Sequence, residues 1–419
     1  MVEETRSAPA KTGLRELLRN KNFRWLWLGQ IISNYGDSLA GLALMILVNK
    51  LTGSTTALAT LIIFMVLPQV TVGMLAGVFV DRWNRRRTMI ISDVLRGILV
   101  LGFLLVRTAD DLYLMYGLAF AQATVGVFFS PARMALLANI VDEDDLLAAN
   151  SISQTSRLLF GLLGTASAGV IIGLQGDFSL IFILDSLTFF LSAFFTARVE
   201  VANAVKTQAQ ATARVIWAEM MVGLQIIFSS RILVGVLITA SIVMLGMGAV
   251  NVLFVPLVIN ELGVPETWFG AIEGAQVAGM VLGGVATALL AARLRPTFII
   301  SLGLLALGVG MGAVAAAQTA WHVMLIMLPV GLALTPAQAA MATLSQTSVE
   351  DALRGRAGGA LQTMVGAANI TSMALAGLLA DSLGVRTVFL LAGGLAFLAG
   401  LLVIPLFGLG AGSAPEPTA

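Results

Sequence analysis

Gly77-Val-Phe-Val-Asp81-Arg82-Trp-Asn84-Arg85-Arg86-Arg87 is a short, charged turn set between two apolar runs, with Leu61–Val66 before it and Leu99–Val106 after it. Both runs are apolar on every side rather than on alternate residues. They therefore read as helices buried in hydrocarbon, not as strands of a barrel, which would alternate with period two. A turn with four arginines between two such runs is a loop held at a membrane surface, and the arginines place it on the cytoplasmic side. A tight loop there favours a residue tolerant of left-handed geometry, which Asn84 can supply. Asp81 is suited to stabilise a neighbouring helix N-terminus.

The whole chain repeats this pattern. Of 419 residues, 58% are hydrophobic and 11% charged, against about 25% charged in an ordinary soluble domain. Mean hydropathy is +0.94. The apolar runs are about twenty residues long and end in short polar, Gly- or Pro-bearing breaks. The net charge of +1 and the lack of a long basic block exclude a nucleic-acid partner. With no cysteine and one histidine, thiol catalysis, Cys-ligated zinc and His-based metal clusters are excluded, so no cofactor or metal is expected.

Twelve spans are predicted, near residues 23–49, 56–80, 88–107, 112–140, 148–174, 179–199, 231–260, 266–291, 296–317, 321–348, 356–382 and 384–407. The Arg and Lys residues fall mainly on one side: the N-terminal segment, Arg82–Arg87, Arg198–Arg214, Arg293/Arg295 and Arg354/Arg356. The positive-inside rule makes that side cytoplasmic, and an even span count puts both termini there. The acidic loop Asp142–Asp145 lies on the same side, and acidic residues weigh little in this rule.

The expected organisation is a cytoplasmic N-terminal segment (1–22), a six-helix half (23–199), a cytoplasmic linker with an amphipathic helix (200–230), a second six-helix half (231–407) and a cytoplasmic tail (408–419). In the linker, Trp217, Met221, Leu224 and Phe228 recur at helical spacing, the pattern of a helix lying on an interface. The halves echo each other. Pro131-Ala132-Arg133, Val141-Asp142-Glu143 and Gln154 return as Pro336-Ala337-Gln338, Val349-Glu350-Asp351 and Gln362, an offset of 205–208 residues. Gly73 through Arg85 returns faintly as Gly283 through Arg295. An even number of spans per half makes this a parallel repeat, the plan of transporters whose site lies between the halves near the midplane.

The Gly77–Arg87 loop resembles the signature loop of the major facilitator superfamily, with Asn84 in place of the usual Gly. Asn22-Phe23-Arg24, Trp27, Gly29-Gln30, Ser33 and Gly36-Asp37 are similar to the first span of its drug:proton antiporter branch, which includes macrolide and enterobactin exporters. Pro131-Ala132, Ala149-Asn150 and Asp185 with Phe189-Phe190-Leu191 are also similar to it. The resemblance covers residues 20–405 and implies an all-α fold of two six-helix halves, a secondary active exporter and a monomer. The Gly-Pro pair of the antiporter pattern is absent from span five, where Gly161, Gly164, Gly169 and Gly173 stand without proline. The motif implies a cytoplasmic gate of Gly77, Asp81, Arg82, Asn84, Arg85 and Arg86, joined by Asp93 with Arg96.

Charges inside spans are costly and face cavities or partners. Asp37 stands near the midplane of span one, and Gln30, Asn34 and Asp37 share one face. This makes Asp37 the first proton-coupling candidate and Gln30 and Asn34 cavity candidates. Its bland alternative is a buried Asp that serves folding alone. Glu273 is the second coupling candidate, with Gln276 one turn on. Arg157 pairs with a carboxylate such as Asp37 or Asp93, or snorkels to the surface. Met244, Met247, Asn251 and Phe254 offer an adaptable lining or ordinary packing, and Asp185 reads as structural.

The expected function is proton-coupled export of lipophilic or amphipathic compounds by alternating access in a bacterial cytoplasmic membrane. The partners are substrate, protons and membrane lipid. A siderophore exporter or lysophospholipid flippase of the same fold is the alternative. A basic cavity would favour anionic siderophores, whereas the scarcity of intramembrane Arg and Lys leans toward neutral or cationic compounds. An intramembrane enzyme built on Asp37 and Asp185 is the remote alternative.

Overall fold

The structure is a computed structural model and describes residues 17–200, 213–349 and 353–407. The expected N-terminal segment up to residue 16, the linker over 201–212 and the tail over 408–419 lie outside the described residues, as do Glu350 and Asp351 of the internal echo.

The first half consists of α1 (Lys21–Thr52), α2 (Thr55–Thr71), α3 (Gly73–Arg82), α4 (Arg85–Gly102), α5 (Leu112–Ile140), α6 (Leu146–Gln175) and α7 (Ser179–Thr196). A connecting helix follows, α8 (Ala213–Ser229). The second half holds α9 (Arg231–Pro256), α10 (Phe269–Ala291), α11 (Pro296–Ala315), α12 (Ala320–Thr347), α13 (Arg354–Leu383) and α14 (Val385–Phe407). Among the described residues, eleven helices are long and apolar enough to cross a membrane. The twelfth span is α2 continued by α3. The run expected over 56–80 is thus broken at Val72, because Pro68 withholds an N–H from the ladder and Gly73 follows the break.

Helix ends follow the local chemistry. Asn20 accepts hydrogen bonds from the Asn22 and Phe23 amides at the start of α1. The helix stops at Gly53, whose φ of 62° is the left-handed stop that glycine adopts without penalty. Asn84 does not take the left-handed form expected of it. Its φ is −69°, and its side chain accepts from the Arg87 amide at 3.0 Å, so it starts α4 as an N-cap.

The parallel repeat is visible in the packing. In the first half α1 lies on α6 and α7, α4 on α5 and α7, and α2 on α5; in the second half α9 lies on α13 and α14, α11 on α12 and α14, and α10 on α12. Each half ties its outer pair with one serine hydroxyl donated to a glycine carbonyl. Ser186 reaches Gly97 at 2.8 Å, and Ser301 reaches Gly400 at 2.7 Å. The halves meet along two seams, α2 with α13 and α6 with α10. At the α6–α10 seam Gly270 sits so close to Ala166 that an added Cβ would overlap it.

The connecting helix corrects the expected stripe. Ile227 and Gly223 are buried and Gly223 rests on the Arg356 backbone, whereas Met221 and Phe228 point outward, Phe228 with 62% of its surface exposed. The amphipathic helix exists, and its docked face is the Gly223/Ile227 side; the Trp217 side chain lies outside what is described.

Polar ties between the halves gather at the end of the bundle opposite the arginine-rich turns. Asn49 and Asn260 exchange side-chain amide hydrogen bonds at 3.0 Å, and Lys50 pairs with Glu266 at 2.6 Å. Asp381 of α13 reaches across to the start of α2. Its carboxylate accepts from the Thr55 and Thr56 hydroxyls at 2.7 and 2.6 Å, and from their amides at 3.1 and 3.3 Å. A helix of one half is thus N-capped by a carboxylate of the other, where exposed N–H groups and the helix dipole favour negative charge.

Hydrogen bonds to a charged group contribute about 1.5–3 kcal/mol each, so this cross-half cap biases the bundle toward closure at that end. In purified protein carrying Met45→Cys, adding Asp381→Ala should raise the rate of labelling by a bulky maleimide at least about tenfold. Ser54→Ala, which removes one 3.3 Å bond to Asp381, should change it far less. Equal rates with and without Asp381 would show that the cap does not hold this end shut.

Candidate functional site

The site begins with Arg96, a guanidinium in the middle of α4 with only 8% of its surface exposed. Three residues earlier on the same helix face, Asp93 is fully buried and accepts from Arg96 Nη2 at 2.6 Å. The other Asp93 oxygen accepts from the Ser192 hydroxyl of α7 at 2.7 Å. The Arg96 guanidinium lies between the rings of Phe129 and Phe189, 4.7 and 4.4 Å from their centroids. Its Nη1 stands 3.7 Å from Asp37 Oδ2 of α1. Four helices, α1, α4, α5 and α7, are therefore joined through one cation.

Asp93 is not part of a network with the loop arginines, as expected from the sequence. Its partners are Arg96 and Ser192, inside the bundle, because its position on α4 faces α7 rather than the turn. Of the proposed gate residues, Arg86 donates to the Thr196 carbonyl at 3.3 Å and to the Ala197 carbonyl, clamping the turn onto the end of α7. Arg82 is exposed, Arg85 is half-buried and Asn84 is the cap described above. Gly77 and Asp81 belong to α3, and their side chains lie outside what is described.

Asp37 faces two cavities. One, of about 300 Å³, is polar and lies between α1, α5 and α6. Gln30, Asn34 and Asp37 line it from α1, as their shared face predicts, and Arg157 lines it from α6. Gln30 Nε2 is buried there without a hydrogen-bond partner. Arg157 neither pairs with Asp37 nor with Asp93; it donates to Gln154, one turn earlier on α6. Arg133 of α5 also lines this cavity and was not singled out from the sequence as a cavity residue. The second cavity at Asp37, of about 240 Å³, is bounded by Gly41, Met65, Arg96 and Gln122 among others.

Gly41 also borders a third cavity, of about 400 Å³ and mostly apolar, at the meeting of the halves. Met45, Met247, Phe254, Met311 and Phe389 supply its walls, and Asn251, Glu273 and Gln276 its polar points. Met247, Asn251, Phe254, Glu273 and Gln276 of the second half thus reach one cavity. Met244 does not, and packs instead against the cluster around Ile300 and Leu304. Glu273 has the Thr165 side chain of the other half as its hydrogen-bonding neighbour.

Asp185 is fully buried in α7 against α1, where Gly36 leaves room for it; a Cβ on Gly36 would overlap its Oδ1. Thr188 donates to Oδ1 at 3.3 Å, while Oδ2 is buried without a partner. The closeness of Asp185 to Asp37 is a feature that spacing along the chain does not reveal.

A bundle of two repeated six-helix halves, with a charged cavity in the first half and a mostly apolar one where the halves meet, defines a membrane transporter of the alternating-access type. Residues 14–417 match the family described as "Transmembrane secretion effector", and the chain belongs to this family of the major facilitator superfamily. It is accordingly a transporter and not an enzyme. It is 26% identical over 364 residues to the multidrug efflux pump Tap of Mycobacterium bovis, covering 85% of this chain and 86% of that one. It is 30% identical over 179 residues to the putative bacilysin exporter BacE of Bacillus subtilis, 43% of this chain and 44% of that one. Its fold matches a bacterial homologue of the lysosomal transporter Spinster in an inward-facing, unoccupied conformation, with a TM-score of 0.75 at 14% identity over 96% of this chain and all of that one.

Removing one partner of a buried ion pair costs about 3–5 kcal/mol, while replacing the whole pair by neutral groups of similar size is close to neutral. Arg96→Met should therefore lower the melting temperature of the purified protein sharply. Combining it with Asp93→Asn should recover most of the loss. Additive losses in the double variant would mean that the two side chains do not act as a pair.

Proposed function

We propose that this protein is a proton-coupled exporter of lipophilic or amphipathic compounds, seated in a bacterial cytoplasmic membrane with both termini inside. The observation that carries this reading is the position of Asp37. It is a carboxyl group in the middle of α1 that borders two cavities and stands 3.7 Å from a buried guanidinium.

Charge on Asp37 draws α1 toward α4 through Arg96, and a proton on Asp37 removes that attraction. The protonation state therefore changes the relative energy of two arrangements of the first half, the differential interaction that coupling requires. The mostly apolar cavity beyond Gly41, with its flexible methionines, suits the body of a lipophilic compound. Glu273 in that cavity is the second group that can exchange a proton with substrate nearby. Export, rather than uptake, is supported by the relatives, one named a multidrug efflux pump and one a putative bacilysin exporter.

Energised everted vesicles containing the protein should accumulate a fluorescent lipophilic dye, and Asp37→Asn should abolish accumulation driven by the pH gradient while leaving dye binding within about threefold. Gradient-driven accumulation that persists in Asp37→Asn would remove Asp37 from the coupling step. The orientation has its own check, since the chain has no cysteine. In intact cells a cysteine introduced at residue 110 should react with an impermeant maleimide, and one at residue 84 should react only after lysis; the reverse order would invert the topology.

A further inference from the structure

The polar cavity carries more positive charge than its surroundings neutralise. Arg96, Arg133 and Arg157 line it, and the carboxylate on its wall is Asp37. Arg96 is paired with Asp93. Arg157 bonds to the neutral Gln154. Arg133 is half-buried in the cavity wall, no carboxylate among the described residues lies within ion-pair distance of it, and the charge that acts on it is a second guanidinium, Arg157.

Two guanidiniums lining one cavity, Arg133 half-buried and Arg157 exposed, repel each other, and an uncompensated charge held partly out of water carries a cost. Their fork of N–H donors matches a carboxylate or phosphate, which would relieve the repulsion and satisfy both. Ser130, Asn150, Ser153 and Gln154 on the same walls supply further hydrogen-bonding groups for anionic oxygens. The buried, unpartnered Gln30 Nε2 is another donor without an acceptor.

The internal repeat shows that these arginines are not demanded by the helix packing. At the matching offsets the second half has Gln338 for Arg133 and Val365 for Arg157, in helices of the same layout. The charge belongs to the first-half cavity alone.

We propose that this cavity is a subsite for an oxyanion, a carboxylate or phosphate held by Arg133 and Arg157, and that the exported compound is an amphiphile carrying that group. This rests on the exporter reading above and gives its substrate a chemical polarity. From Gln30 past Asp37 to Gly41 the cavities follow α1 for about 16 Å. An anionic head at the arginines then leaves the apolar body pointing along α1 toward the methionine- and phenylalanine-lined cavity. Asp37 stands between the two, where the substrate's charge and a proton act on the same guanidinium network.

The test uses dansyl-labelled undecanoic acid and its methyl ester, titrated by fluorescence into the purified full chain in phosphatidylcholine nanodiscs. The acid should bind at least about tenfold tighter than the ester. Arg133→Gln and Arg157→Gln should each weaken the acid about tenfold and leave the ester unchanged. Arg133→Lys should retain part of the preference, which separates lost charge from a damaged fold, as should unchanged melting temperatures. Adding phosphatidylglycerol to the nanodiscs distinguishes the source of the oxyanion: competition with the acid identifies a lipid headgroup, and indifference identifies the exported compound. Equal binding of acid and ester to the parent protein, or equal loss of both in the variants, overturns the subsite while dye export in vesicles leaves the exporter reading intact. Failure of both amphiphiles to bind, together with absent dye export, overturns both.

Discussion

Everything in the first half is arranged around the need to keep one guanidinium inside an apolar bundle. A charge in such a place is tolerated only when its hydrogen bonds are met and opposite charge is near. Arg96 meets most of this with Asp93 on its own helix, two aromatic faces from α5 and α7, and Asp37 across the gap to α1, while its Nε is buried without a hydrogen-bond partner. The tight pair with Asp93 is permanent architecture. The looser 3.7 Å approach to Asp37 is the adjustable member, because that carboxyl also faces open cavities.

The two ends of the bundle are held by different chemistry. At the end away from the arginine-rich turns, the ties cross between halves: an amide pair, an ion pair and a carboxylate capping the first turn of α2. Such ties are short and directional, and they join side chains across the halves, so they form and break without unfolding a helix. At the arginine-rich end, Arg86 holds the turn to α7 within the first half. Movement of the halves against each other therefore needs no change in that clamp. Close glycine approaches at the seams, such as Gly270 on Ala166 and Gly377 on Ala59, let the helix pairs approach closely with little side-chain interlocking.

The fold was legible because hydrocarbon imposes a length on each helix, and because the echo of Pro131-Ala132 in Pro336-Ala337 marks the repeat. The polar stripe Gln30–Asn34–Asp37 was legible for a similar reason, since helical spacing fixes which residues share a face. Periodicity names a face but not what lies opposite it. The contact of Asp185 with α1 through Gly36 and the reach of Asp381 to Thr55 and Thr56 connect residues more than a hundred positions apart, with no local pattern to announce them. Asp93 was assigned to the loop arginines because it is near them in sequence, and the turn of α4 that separates them points it inward. Asn84 illustrates the same limit at short range, because an Asn serves equally as a left-handed stop and as an N-cap.

Arg133 is the most instructive omission. In the sequence Arg133 stood out only as part of the Pro131-Ala132-Arg133 echo, and a scarcity of intramembrane Arg and Lys leans toward neutral or cationic substrates. The structure shows that the cavity extends from the Asp37 level to meet Arg133, so the residue faces protein-enclosed space rather than lipid headgroups. Depth along a helix is therefore a poor guide to the solvent a charge sees in a transporter, where a cavity carries the aqueous boundary into the bundle. Counted by cavity instead of by depth, the cavity inside the first half is electropositive and the one at the meeting of the halves mostly apolar. That asymmetry, laid over two halves of the same plan, separates a place for charge from a place for hydrocarbon.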